Sequence, residues 1–560
     1  MKRIGLVTLS LLATACGTRG LKDAAATDHG APLLEVTSPA RGMIAGSATT
    51  VEVKGTASDA ESGLAGVSIN GTAVSVAQDG SFSAVVPVTP GVMLLHTVAK
   101  DRGGNEKADS RSLMAGQLAD PAAKVQNGLV ARINSETLHA LGDIGAEEIN
   151  GTDLGAVAQG FNPIADKGFT CLNVQVYVDT IDKSMVVMDL TPVAGGIAWD
   201  ATIYDLDVEM SSQFKAVCIG GSAGISLTAS SYHLSGVLDM GLSGGQVSAA
   251  VASAQGGFND FQLSVGIIPS SVLNLIPDLD QKVANVITAQ MEAKVPQMVQ
   301  RYLGGYGYSK TITLMGNDLE LLVAPTTIDF NATGGTVVMD TTFKITGNNG
   351  GAGYPIIPAP MPSMPQTDAP GDGFRLAVND NALNQLLNAF WATGIFDRSI
   401  DLAGNSGSGL AGLVDSVDLY LPYPPIVSTA IGSSAVTVTV GDLTVVAKKD
   451  GLAVTKVAIS AQIGLQPYVD STGAVRLTVN TPTAYFDVID DGTVTGPNPL
   501  SDATVEALGG FVVAHATTML DSAVGAIPVP QFQSAQITNL SASPSSTGGF
   551  VELGGNVQAP

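Results

Sequence analysis

The stretch Ala201-Thr202-Ile203-Tyr204-Asp205-Leu206-Asp207-Val208-Glu209-Met210 alternates apolar and acidic residues from Tyr204 onward. Successive side chains of a strand point to opposite faces. Tyr204, Leu206, Val208 and Met210 are therefore expected on one face, and Asp205, Asp207 and Glu209 on the other. One dry and one wet face describe an antiparallel sheet covered on a single side, not a strand buried on both. Similar patterns predict strands at 172–178, 224–229, 234–240 and 261–267. A cover for the dry face follows directly. From Asp278 to Leu303 the spacing of Val283, Ile287, Met291, Val295, Met298 and Tyr302 makes one apolar stripe along a long helix. Pro296 removes a backbone donor within it and is expected to bend it, and Gly304-Gly305 ends it. An earlier helix opens at Asn134 or Ser135 and places Leu138, Leu141 and Ile144 on one face. More strands are expected at 311–323 and 327–345.

The order then recurs. After a proline cluster at 354–370, which reads as an extended connector, Phe374 to Val378 lead into Asp380 and a helix. That helix carries Leu383, Leu386, Leu387 and Phe390 near one face and closes at Gly394. Strands are expected at 417–421, 435–440, 443–447, 454–465, 475–479 and 484–489, and a second late helix over Asp502 to Val524 aligns Val505, Leu508, Val512 and Met519. Strands at 533–540 and 550–557 end the chain. Each half is a short helix, antiparallel strands, a long amphipathic helix and further strands, as expected for two copies of one architecture.

Before these halves, residues 31–116 show short alternating strands between the turn pairs Asn70-Gly71 and Asp79-Gly80, the pattern of a small β-sandwich. The run Gly55-Thr56-Ala57-Ser58-Asp59 with the later Asp101 and Asn105 resembles the immunoglobulin-like modules of bacterial surface proteins. Asp59, Glu61, Asp101 and Asn105 offer oxygen ligands of the type calcium takes, but turn-forming residues on a solvated rim explain them as well, and that is the favoured reading. No metal site is assigned from the sequence. Residues 1–15 have a basic tip, a short apolar run and small residues, as a secretory signal has. With Cys16 next, they resemble the lipobox of bacterial lipoproteins, which implies that Cys16 carries the acyl anchor and that residues 16–30 are a tether. Gly17 after the cysteine then implies the outer membrane, on a side left open.

Lys and Arg total 26 against 50 Asp and Glu, a net charge of -24. Such a field repels nucleic acid and anionic lipid head groups, so a phosphate-binding surface would need a local basic patch, and none is visible in the sequence. The mean hydropathy is +0.29 with 14% charged residues, and the apolar content is spread through alternating strands. Two cysteines remain, Cys171 and Cys218. In an oxidising compartment they can pair, a bond that would add about 4 kcal/mol on the chain-entropy model; two buried thiols are the other reading. The histidines His29, His96, His139, His233 and His515 are dispersed without metal-ligand spacing. No Gly-x-Ser-x-Gly elbow or phosphate-binding loop occurs, and Gly220-Gly221-Ser222-Ala223-Gly224 reads as a turn between strands. An enzyme is not expected, and no cofactor is implied.

Leu129-Val130-Ala131-Arg132-Ile133-Asn134-Ser135-Glu136-Thr137-Leu138 and Phe374-Arg375-Leu376-Ala377-Val378-Asn379-Asp380-Asn381-Ala382-Leu383-Asn384 look like the openings of two related barrels, the second directly after a proline-rich crossing. With Ile527-Pro528-Val529-Pro530 and the strands after it, the chain from about 125 resembles the family of bactericidal/permeability-increasing protein, lipopolysaccharide-binding protein and cholesteryl ester transfer protein. Cys171 and Cys218 sit where that family carries its one disulfide. The resemblance implies an α+β fold of two tandem tubular lipid-binding barrels, 125–353 and 371–560, joined by a central sheet and here preceded by the sandwich. It implies an apolar pocket in each barrel. The expected lining is Leu138, Leu141, Val283, Ile287, Met291, Met298, Leu383, Leu387, Phe390, Val505, Leu508, Val512 and Met519, with Tyr204, Leu206 and Val208 added from the sheet. Basic members of that family hold lipopolysaccharide phosphates with a cationic tip, a mode the acidic balance of this chain speaks against; a neutral or zwitterionic lipid, or a sterol-like or polyprenyl molecule, fits better, bound and perhaps transferred without catalysis. The alternative is a structural or adhesive surface lipoprotein whose stripes close solid cores.

Overall fold

The computed structural model describes residues 28–558 with short breaks, the longest being 403–413 and 511–535. Cys16, Leu508, Val512 and Met519, with the expected leader, lie outside the described residues; of the second late helix, 503–507 are described and helical. The chain is mostly β. Five helices matter below: α1 (Ser135–Asn150), α2 (Leu154–Ala158), α3 (Ser270–Leu273), α4 (Leu279–Leu303) and α5 (Asp380–Ala392).

Two seven-stranded sheets follow one plan. The first holds Ala165–Phe169, Leu172–Asp182, Met185–Val193, Gly196–Ala216, Ile219–Ser243, Gln246–Asn259 and Gln262–Val265. Its path runs through the first, second, fourth, fifth and sixth strands, with the third paired to the fourth and the seventh to the fifth. The second holds Ser399–Asp401, Ser416–Tyr420, Ile426–Thr429, Val436–Lys449, Leu452–Val469, Val475–Val479 and Thr483–Val488, in the same path with the same two side pairings. The recurrence read in the sequence is thus a repeat of topology, strand for strand.

The plan explains why the sheets curl. Strand Gly196–Ala216 pairs with Met185–Val193 through residues 196–204 and with Leu172–Asp182 through 207–216. Between the two partners Asp205 takes φ 49, a left-handed irregularity that bends the strand. Val436–Lys449 likewise changes partner between Thr439 and Thr444, and Asp442 there takes φ 47. This bend corrects one expectation. Ile203 and Leu206 both point inward, so Tyr204 is turned out of the dry face and is 39% exposed. Two further corrections concern strand breaks: 224–229 and 234–240 belong to one strand, Ile219–Ser243, and 435–440 and 443–447 to another, because the polar residues between them stay in the strand. Gly220 to Gly224 lie inside Ile219–Ser243, and the turn is made by Val217 and Cys218.

A third sheet joins the halves in the order Tyr308–Leu314, Asn317–Asn331, Gly334–Ile345, Val125–Asn134, Phe374–Asn379, Phe550–Gln558 and Gln536–Pro544. At its middle the two quoted openings lie side by side, Leu129 opposite Val378 and Ile133 opposite Phe374, antiparallel. Each runs straight into a helix, α1 or α5, with Asn134 and Asn379 as the matching N-caps. The apolar interiors of both halves form one continuous core.

Residues 33–115 form two facing sheets around Val53, Leu95, Ala99 and Leu113, a core of their own. This sandwich is docked on the second curled sheet. Asp442, 3% exposed, accepts from the Gly42 amide at 2.9 Å, the Ser112 amide at 2.8 Å, the Ser112 hydroxyl at 2.9 Å and the Arg41 guanidinium at 3.1 Å. Asp487 accepts from the Ser110 amide at 2.6 Å and Arg41 at 3.4 Å, and His96 stacks on Tyr485 with ring centroids 4.3 Å apart. The linker is also paired, Leu118–Ala119 with Tyr354–Pro355 of the proline-rich connector.

Candidate functional site

Helix α4 is the centre of the first half. It follows the predicted span, from Leu279 to Leu303, and continues through Pro296. Its stripe is closed off from water: Val283 is 0%, Ile287 1%, Met291 2% and Met298 4% exposed. The helix rests on strands Gln246–Asn259 and Ile219–Ser243 and is held there by three polar contacts, one of them between the Tyr232 and Thr288 hydroxyls at 2.9 Å. The Tyr232 hydroxyl donates to the Ala284 carbonyl at 2.9 Å, and the Gln300 amide donates to the Ala249 carbonyl at 2.9 Å. Gly256 makes room for the first, since a Cβ there would stand 2.3 Å from the Tyr232 oxygen. Burial pushes the Tyr232 hydroxyl above its ordinary pKa, so it stays a donor.

Helix α1 closes the other side through two small residues one turn apart. A Cβ on Gly142 would lie 2.8 Å from the Met188 carbonyl, and one on Gly145 would lie 2.2 Å from the Met298 sulfur and 2.4 Å from the Met188 methyl. Met188 and Met298 therefore meet over a glycine. Two turns back along α4, Met291 borders a slot of about 20 Å³ between α1, α2 and α4, lined also by Ile149, Leu154, Val157 and Gln290. That space holds one water and no acyl chain. Gln290, 4% exposed, borders the same slot, and its buried amide nitrogen has no hydrogen-bond partner. Such a donor costs about 1–3 kcal/mol while it stays unmatched.

Of the expected lining residues, Leu138, Leu141, Leu206, Val208, Val283, Ile287, Met291, Met298, Leu383, Leu387, Phe390 and Val505 are buried, and Tyr204 is not. Gln290 and Met188 were missed. A glutamine seven residues after Val283, on the buried side of the helix, is the signal that points to the first. Met188 carries none beyond its strand pattern.

The second half anchors its helix differently. α5 is buried on its polar side too. The Asn384 amide bonds both ways to Val427, donating at 3.0 Å and accepting at 2.7 Å, and Gln385 accepts from the Phe343 amide while donating to the Pro121 and Ala123 carbonyls. Asp380 accepts from the Thr429 amide at 2.7 Å and hydroxyl at 2.9 Å. Burial raises its pKa to about 6, against the lowering effect of those bonds. These are structural pins.

Cys171 and Cys218 are disulfide-bonded. In the sandwich Asp59 and Asp101 converge with Asp28, their ligand oxygens within 4.8 Å of one another. Backbone amides occupy them already: Gly30 and Ser62 on Asp28, Ser62 and Gly63 on Asp59, Gly104 and Asn105 on Asp101. Asn105 donates to Asp101 and to the Asp28 carbonyl, so its amide nitrogen and not its oxygen faces the group. His139 contacts Asp189 and His233 lies 3.3 Å from Asp200, both on the half-exposed outer face.

Residues 32–117 match the family model described as glucodextranase, domain B. Among solved structures, a crystal structure of lipopolysaccharide binding protein is similar at 14% identity and a TM-score of 0.44, covering 78% of this chain and 100% of that one. P47 of Clostridium botulinum E1 is similar at 8% identity and a TM-score of 0.25, covering 78% and 100%. P47 from Clostridium botulinum A2 is similar at 9% identity and a TM-score of 0.24, covering 77% and 98%. No curated protein matches.

Proposed function

We propose that this chain binds a lipid without catalysis, in the apolar interior between each curled sheet and its helices, and that Cys16 holds it at the outer membrane. The observation that carries the reading is the junction of α1, α4 and strand Met185–Val193. There Met188, Met291 and Met298 fill the interior beside a buried amide donor with nothing to donate to. Methionine is unbranched and changes rotamer at little cost, so a methionine-filled interior can open where one of leucine or isoleucine resists. An acyl chain entering there gains about 0.8 kcal/mol per buried methylene. An ester or headgroup oxygen beside Gln290 would satisfy its amide. The overall charge of -24 favours a neutral or zwitterionic lipid.

The rival, a surface protein with solid cores, draws on a specific observation of its own: the slot beside Met291 is only about 20 Å³. Uptake of a fluorescent fatty acid by the full chain separates the two. The lipid reading expects saturable uptake that Gln290→Leu weakens and Met291→Trp blocks. Absence of uptake by the unaltered chain refutes it.

A further inference from the structure

The joint between the sandwich and the second curled sheet holds more negative charge than a fixed support needs. Two glycines close it: a Cβ on Gly42 would stand 2.9 Å from Pro422, and one on Gly441 would stand 2.4 Å from the Ser112 hydroxyl. The hydroxyls of Ser112 and the buried Tyr423 meet in the same joint. Three carboxylates enter it, Asp109 from the sandwich and Asp442 and Asp487 from the sheet, and they face two guanidinium groups, Arg41 and Arg111. No other cation pairs with them among the described residues.

The excess falls on one side chain. Arg111 grips both oxygens of Asp109, at 2.8 and 3.1 Å, and Asp442 takes four donors. Asp487 has the Ser110 amide and, at 3.4 Å, an Arg41 nitrogen that stands slightly closer to Asp109, at 3.3 Å. Its side chain is 10% exposed. A carboxylate shut from water beside a shared cation is better held with a proton on it. Burial accordingly raises its pKa from 3.8 to about 6, against the lowering pull of Arg41 and the Ser110 amide, and Asp109 adds to the rise. His96 also titrates here. It stacks on Tyr485, meets the Ser110 hydroxyl at 2.7 Å and feels Glu106 of its own domain. Burial lowers its pKa, by less than burial moves Asp487, so acid acting on His96 favours release, and weakly. Burial raises Tyr423 and keeps it protonated.

We infer that docking of the sandwich takes up a proton at this carboxylate cluster, so that acid closes the joint and rising pH loosens it. Released, Asp487 faces water with its ordinary value of 3.8; docked, it keeps the proton up to about pH 6. The joint is therefore tightest below about pH 4 and loses this contribution as pH rises through 6. Release bares Tyr423 and Tyr485 of the second curled sheet, while the pairing of Leu118–Ala119 with Tyr354–Pro355 keeps the sandwich tethered. The switch is independent of any lipid held in the barrels.

Hydrogen–deuterium exchange of the full chain between about pH 5 and about pH 8, corrected for the intrinsic effect of pH on exchange, tests it. The amides of Gly42, Ser110 and Ser112 donate across the joint and report its opening, whereas those of strand Thr50–Ser58 report the fold of the sandwich itself. In the unaltered chain, protection at the three joint amides should fall by about tenfold or more across that range, and protection in Thr50–Ser58 should hold. Asp487→Asn keeps an acceptor for Ser110 but cannot ionise; it should abolish the fall and leave a shallow rise toward high pH from His96. His96→Gln should steepen the fall. Joint protection that stays level with pH in the unaltered chain overturns the proposal, as does an equal fall in Asp487→Asn. A fall shared by Thr50–Ser58 would also overturn it, since the sandwich would then be unfolding and not undocking.

Discussion

In the first curled sheet the bend aspartate, Asp205, is exposed and accepts a 2.8 Å bond from the Ser184 hydroxyl; in the second its counterpart Asp442 is buried beneath the sandwich. The hairpin ends differ as well. The first turns on Val217 and Cys218, is apolar and is tied by a disulfide. The second turns on Asp450 and Gly451, with Lys448 paired to Asp418 and Lys449 to Asp415 at 2.7 Å. One strand plan thus carries two specialisations. The second sheet spends its bend on fixing a neighbour and leaves its tip polar, while the first leaves its bend free and makes its tip apolar. The difference lies at single turn and bulge positions, where the sheet tolerates any side chain the backbone angle permits.

The largest effect should come from breaking the docked bend. Asp442→Ala removes four contacts and leaves Arg41 beside a buried vacancy, at a cost of about 5 kcal/mol. Calorimetry should then show the sandwich melting apart from the rest, whereas Asp205→Ala should cost under about 1 kcal/mol. A single unchanged transition in Asp442→Ala would mean the sandwich is held elsewhere.

Next is the disulfide. Its sequence separation of 47 residues gives about 4 kcal/mol on the chain-entropy model. Cys171→Ser with Cys218→Ser should lower the stability of the joined halves by that order in calorimetry; an unchanged melting curve would show that the bond adds nothing.

The third prediction contrasts the helix starts, Asn134-Ser135 in α1 and Asn379-Asp380 in α5. Asp380 has an ordinary carboxyl pKa of 3.8 when unfolded and about 6 when folded. The raised value means the folded state holds the proton more tightly. Stability from this group is therefore full below about pH 4 and is lost as pH rises through 6, by roughly 3 kcal/mol. Asp380→Asn should remove one proton's share of that slope from the melting curve; an unchanged slope would place the charge elsewhere. Smallest is Val217→Gly, which relieves the positive φ and should stabilise the protein by about 1 kcal/mol. A loss of stability would show that Val217 earns its place by packing.

Much of this architecture is legible in the sequence because burial imposes a period. α4 was read within one residue of its observed start, and the recurrence of elements became a repeat of strand topology. What escaped has no period. A single left-handed aspartate turned Tyr204 outward, and the Ser230-Ser231 and Gly441-Asp442 pairs looked like breaks though each lies inside one continuous strand. The contacts of Arg41 and Ser112 with Asp442 join polar residues hundreds of positions apart, and Gln290 shows its unmatched donor only once its neighbours are in place.

Lipid extraction and mass spectrometry of the full chain purified from its native cells bear most directly on the central claim. The account predicts a stoichiometric lipid beyond any acyl groups on Cys16, retained by Asp442→Ala and lost from Met291→Trp. Protein that carries no such lipid, from cells that supply it, would contradict the account.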